Sequence, residues 1–157
     1  MSGRMRLATI CALLAALAVA ADENDAKRLP EGAGKEVVAR VCIDCHGSSN
    51  FRKKRLSRDE WADQVADMVD RGAKLTEAET AAVLDYLARS FGSDSRINVN
   101  TAPMVELKTV LGITGDEAKA LADYREAKGG FKQWKDLQKV SGVDGQKIEA
   151  KKDLMVF

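Results

Sequence analysis

The residues of this chain best able to do chemistry lie together in Cys42-Ile43-Asp44-Cys45-His46. Two thiols spaced by two residues can each add across one vinyl group of a haem, and the imidazole directly after the second is placed to become the proximal iron ligand. The spacing therefore predicts one covalently bound haem c. His46 is the only histidine, and Cys42 and Cys45 are two of only three cysteines. The alternatives are a Cys-x-x-Cys redox pair or half of a zinc site, but no βαβ pattern surrounds the motif and no second pair of ligands exists.

The elements that must position this motif begin after a leader. Arg4 and Arg6 precede an apolar run from Leu7 to Val19, and Ala18-Val19-Ala20 forms a small-x-small site before Ala21. The run is about thirteen residues where a span needs roughly twenty, so it predicts a signal peptide over 1–20 and no transmembrane segment in the mature chain. The mature protein is expected to be periplasmic or otherwise secreted, which suits haem attachment outside the cytoplasm. Cys11 falls in the removed segment, leaving Cys42 and Cys45 as the mature thiols.

Composition bounds the remainder. The chain has 157 residues, 25 basic against 24 acidic side chains, so no global charge points to a polyanionic partner. A domain of about 65 residues buries little apolar surface, and a covalent haem would supply core. A polar linker covers 21–30. Residues 34–41 predict a short helix ending at the motif, and Arg52-Lys53-Lys54-Arg55 is a charge run, read as a solvated loop or as a docking patch or propionate-binding set;. Ser57-Arg58-Asp59-Glu60 is a capping box opening a helix to Arg71, with Trp61, Val65, Met68 and Val69 on one face;. Thr76-Glu77-Ala78-Glu79 opens a second helix that stops near Gly92;.

Residues 31–92 resemble a short class I cytochrome c domain on the strength of Cys42-x-x-Cys45-His46, the helix from Trp61 to Met68 and the closing helix with Tyr86-Leu87. That resemblance implies an electron carrier whose iron is held by histidine and methionine, with Cys42, Cys45, His46 and Met68 binding the cofactor and His46 and Met68 the metal. The family's methionine usually sits on a loop before the last helix, whereas residues 72–75 contain none. Met68 is then either the sixth ligand or ordinary core filling, which would leave the sixth position open.

A hinge at 93–97 leads to a second half whose pattern repeats: helix, Gly-apolar turn, helix. The turns are Gly112-Ile113-Thr114 and Gly142-Val143-Asp144, and Leu107, Leu111, Leu121, Phe131, Leu137, Val140 and Ile148 are the expected core;. Residues 98–157 resemble the paired helix-hairpin-helix domain of secreted competence proteins that bind DNA. The matching stretches include Ile97-Asn98-Val99-Asn100-Thr101-Ala102, Ala122-Asp123-Tyr124-Arg125-Glu126 and Gly130-Phe131. In that family each hairpin reads Gly-apolar-Gly, and backbone amides there hold a phosphate.

Both hairpins depart at the second glycine. Thr114 and Asp144 are each placed to cap a helix, Asp144 with a carboxylate where a phosphate would sit. From Arg96 onward there are 11 basic and 9 acidic residues, short of a strong basic stripe. Lys128, Lys132, Lys135, Lys139, Lys147, Lys151 and Lys152 could still form a local patch. The chain is thus expected to be all-α, a cytochrome c-like domain followed by a tandem helix-hairpin-helix domain. Its expected function is electron transport, without enzymatic activity, the second domain docking a redox partner protein. The alternative is a DNA-binding cytochrome, with DNA disfavoured by the two caps.

Overall fold

A computed structural model of the chain describes residues 25–157, so the leader over 1–20, with Cys11, lies outside the described residues. The fold is all-α apart from one pair of two-residue strands. Helix α1 (Lys35–Val38) runs through a π-helical turn (Ala39–Ile43) directly into α2 (Asp44–His46), so the cysteine motif continues the helix rather than following it. Helix α3 (Ser49–Arg52) comes next. The two capping boxes read from the sequence are present: Ser57 and Glu60 open α4 (Arg58–Asp70), and Thr76 and Glu79 open α5 (Glu77–Phe91). These antiparallel helices pack through Trp61 and Val65 on one and Val83, Tyr86, Leu87 and Phe91 on the other. Trp61 donates its indole N–H to the Phe91 carbonyl at 3.2 Å, which satisfies the one polar atom that its burial would otherwise strand;. Val69, expected on the buried face, is 40% exposed.

The segment before α1 is packed against the body. Leu29 is buried, and the Asp25 carboxylate accepts from both the amide and the hydroxyl of Ser48. Gly34 has φ 93°, and a Cβ there would lie 2.4 Å from the Ala82 carbonyl oxygen and 2.8 Å from Tyr86 Cβ. Helix α1 can approach α5 this closely only without a side chain. Gly34→Ala is expected to destabilise the protein by about 1–3 kcal/mol, read by thermal unfolding; an unchanged melting temperature would mean that the two helices separate freely.

The second half has its own core. Strand β1 (Ile97–Asn98) precedes α6 (Met104–Leu111), Gly112 turns the chain at φ 67°, and α7 (Gly115–Lys128) returns. Helix α8 (Trp134–Leu137), a turn at Gly142 with φ 84°, and α9 (Gly145–Ala150) repeat the unit in shorter form. All seven residues expected in this core are buried in one cluster. Strand β2 (Met155–Val156) pairs in parallel with β1, Ile97 opposite Met155. Residues 93–97, read as a hinge, thus end in a strand, with Ile97 buried.

For Arg52 and Arg55 the structure overturns both readings given to the charge run. Arg52 is 2% exposed, and its guanidinium is neither solvated nor free to dock. It donates to Glu106 on α6 at 2.7 Å, to the Ser48 hydroxyl and to the Arg28 carbonyl. Arg55 reaches the other Glu106 oxygen at 2.8 Å. A fully buried carboxylate on the second half therefore holds two guanidiniums from the first, as buried charges require partners. Lys53 and Lys54 remain outside that cluster.

Candidate functional site

Two places bring functional side chains together. One is a cavity of about 590 Å³ in the first half, bounded by α2, α3, α4 and α5. Cys42, Cys45, His46 and Met68 all line it, with Trp61, Val65, Val83 and Leu87 supplying its apolar floor. The helical spacing places Cys42 and Cys45 three residues apart on one turn, and α4 carries Met68 to the lining;. Cys42 is half-buried, and burial first, then the neighbouring Cys45, pushes its thiol up to about 11;. Cys45 is exposed, and both thiols are free. His46 is also exposed, its Nδ1 3.5 Å from the Gly47 carbonyl.

The other place is the pair of hairpins. Thr114 caps α7, its hydroxyl accepting from the Glu117 amide, while Glu117 Oε2 accepts from the Thr114 amide at 2.7 Å. Asp144 caps α9 by accepting from the amides of Gln146 and Lys147. Glu117 does more than close its own box. Its second oxygen accepts from the Asp144 amide at 2.9 Å, so one carboxylate ties the N-cap residues of both helices. These two amides, Thr114 first and Asp144 second, hold the Glu117 carboxyl down to about 2;. Lys147 Nζ lies 3.4 Å from Glu117 and 4.0 Å from Asp144.

The result is two glycine turns fixed side by side. At Gly112 and Gly142 a Cβ would meet nothing within 4 Å, so both turns are open. The amides of Gly115, Asp116 and Gly145 have no acceptor among the described residues, since Thr114 and Asp144 take those of Glu117, Gln146 and Lys147, leaving one or two first-turn donors on each helix. The basic residues divide: Lys139 pairs with Asp136, whereas Lys135 and Lys152 lie over the Trp134 ring at 5.6 and 6.0 Å. Lys128, Lys132 and Lys151 are exposed. Sequence reading found both caps but missed the reach of Glu117 to Asp144, for which the only trace is the box itself. It also missed the ammonium pair on Trp134, because Lys135 and Lys152 are far apart along the chain.

Comparison with known proteins identifies this second half. Residues 92–155 match the helix-hairpin-helix motif family. A 57-residue stretch is 47% identical to the endonuclease/exonuclease/phosphatase family domain-containing protein 1 of Xenopus laevis, covering 36% of this chain and 10% of that protein. ComE operon protein 1 of Bacillus subtilis is 36% identical over 58 residues, 37% of this chain and 28% of its own length. An uncharacterized protein of Haemophilus influenzae is 33% identical over 63 residues, 40% of this chain and 56% of its length. The chain spans about a tenth of the length of the first of these relatives. No solved structure matches it.

These findings correct the electron-carrier reading. What the comparisons identify is a helix-hairpin-helix module resembling that of a competence-operon protein, and none of these relatives is named as a cytochrome. Among the described residues, no group of three or more histidine, cysteine, aspartate or glutamate side chains is arranged to hold a metal ion. The assignments of haem c, iron and electron transport, and with them the docking of a redox partner, are therefore withdrawn. The part with identifiable relatives is built around Glu117 and the two hairpins, and Cys42, Cys45, His46 and Met68 all lie outside it. No described helix is long and apolar enough to cross a membrane.

Proposed function

We propose that this chain is an extracytoplasmic DNA-binding protein whose tandem helix-hairpin-helix module grips the phosphate backbone without reading sequence. The observation that carries this reading is the fixed pairing of two open glycine turns, each leading into a helix N-terminus, with Lys147 between them. Backbone amides at a helix start, together with the partial positive charge of that end, suit a phosphate oxygen. The likeness to a competence-operon protein over the same residues supports it, as does the leader expected over 1–20. The role is binding rather than catalysis: the stretch shared with the endonuclease/exonuclease/phosphatase relatives is about a tenth of their length, and their chemistry is not brought along with it.

The caps bear on strength, not on the existence of the site. Thr114 and Asp144 occupy some of the amides, and Glu117 and Asp144 place negative charge nearby, so contacts fall to Gly115, Asp116, Gly145 and the lysines. With roughly three phosphates neutralised, affinity for duplex DNA should fall about fortyfold between about 0.05 and 0.2 M salt. Titration of the full chain with labelled duplexes of two unrelated sequences should show equal affinities and that slope. Neutralising Lys147, Lys151 and Lys152 together should flatten it. No binding at the lower salt, or binding indifferent to salt, would overturn the proposal.

A further inference from the structure

We propose that Cys42 and Cys45 form a reversible disulfide by exchange with an anionic low-molecular-weight disulfide admitted to the cavity of the first half. Four observations converge. The two thiols are free and lie one helical turn apart, on contiguous segments of helix. Both line the same cavity of about 590 Å³, open enough for a peptide-sized reagent. Their exposures differ in the way an exchange needs: Cys45 is exposed and can be reached from solvent, while Cys42 is half-buried behind it. Lys53 and Lys54 also line the cavity, together with Arg71, which is paired with Asp67 at 3.1 Å, so the two lysines give it a cationic side suited to a carboxylate-bearing reagent;.

The backbone around Cys42 fits a bond that must be made and broken. Residues three apart on a helix hold their Cβ atoms about 5–6 Å apart, whereas a disulfide brings them to about 3.5–4.5 Å. The turn must therefore tighten by roughly an ångström. Cys42 sits in a π-helical turn, Ala39–Ile43, a helical irregularity of the kind often found at functional sites. A disulfide closed under such tension is easily reduced again.

The step balances as thiol–disulfide exchange. The Cys45 thiolate attacks one sulfur of the reagent, forming a mixed disulfide and releasing one reagent thiol. Cys42, having lost its proton to solvent, then attacks Cys45 Sγ and expels the second reagent thiol. The protein loses two hydrogens and two electrons, and the reagent disulfide gains them.

The test uses the full chain carrying Cys11→Ser, reduced, desalted and then exposed to oxidised glutathione or to cystamine, a cationic disulfide. With oxidised glutathione, intact mass should show the loss of two hydrogens and no retained glutathionyl group. Trp61 lines the same cavity, so its emission should change in step and revert with dithiothreitol, a response lost in Trp61→Phe. Cystamine should react at least about tenfold more slowly at low ionic strength, and the difference should close as salt is raised. Cys42→Ser should trap one glutathionyl group on Cys45, and Cys45→Ser should react roughly tenfold more slowly than Cys42→Ser. Retention of glutathione by the parent protein would overturn the inference. So would a purified chain heavier than its polypeptide, with both sulfurs unreactive after reduction, since the thiols would already be bonded elsewhere. DNA titration of the oxidised and reduced forms reads the hairpin module separately, so failure of one proposal leaves the other standing.

Discussion

Glu106→Ala is expected to cost about 3–5 kcal/mol of stability and to lower the melting temperature by roughly 10–20 °C. The substitution removes the common partner of Arg52 and Arg55, whose guanidiniums lie 2.7 and 2.8 Å from the two Glu106 oxygens. Arg52 is 2% exposed, so its charge cannot simply turn to water. Its remaining acceptors are the Ser48 hydroxyl and the Arg28 carbonyl, which are neutral. Arg55 Nε is already buried without a partner among the described residues, so the cluster has no spare acceptor to take up the loss. Because Glu106 lies on α6 and both arginines precede α4, the cost falls on the contact between the two halves. Thermal unfolding should therefore change from one transition toward two. A loss below about 1 kcal/mol would show that the arginines are solvated by another route.

Glu117→Ala should have the next largest effect, on the order of 2–4 kcal/mol, because two backbone amides lose a charged acceptor together. The sign of its pH dependence is fixed. The folded carboxyl is held at about 2, below its ordinary value near 4.3, so its stabilisation is complete above that ordinary value. It is lost as pH falls toward 2. The stability gap between the parent and Glu117→Gln should be widest near neutral pH and close toward pH 2. A gap that stays constant with pH would mean the carboxylate's charge contributes nothing. Amide exchange at Asp144 should also accelerate in Glu117→Ala, since that N–H donates directly to the lost oxygen.

What the sequence made legible was local. Capping boxes at Ser57, Thr76 and Thr114 could be read because each is complete within four residues, and the core of the second half could be read from helical periodicity. The Asp144 cap was legible for the same reason. What failed was the reading of charge. Four consecutive basic residues look solvated until a carboxylate 54 positions away along the chain is brought against one of them. Likewise Glu117 reads as half of a box, and its second oxygen becomes informative only when folding delivers the Asp144 amide 27 positions later. The strand pair escaped because two residues are too few to show alternation;. The five residues from Cys42 to His46 lie outside the 64 that match a known family, so their spacing carries no information about that module.

The parallel pairing of Ile97–Asn98 with Met155–Val156 has a bearing on how such a module travels between proteins. Paired strands lie about 4.8 Å apart and rise about 3.3 Å per residue, so the chain enters and leaves this block within roughly 10 Å. A block with its entrance and exit side by side can be spliced into a longer polypeptide without prising the host's flanking segments apart. Stretches of 57 and 58 residues that make up 10% and 28% of two longer proteins are what such portability would leave behind.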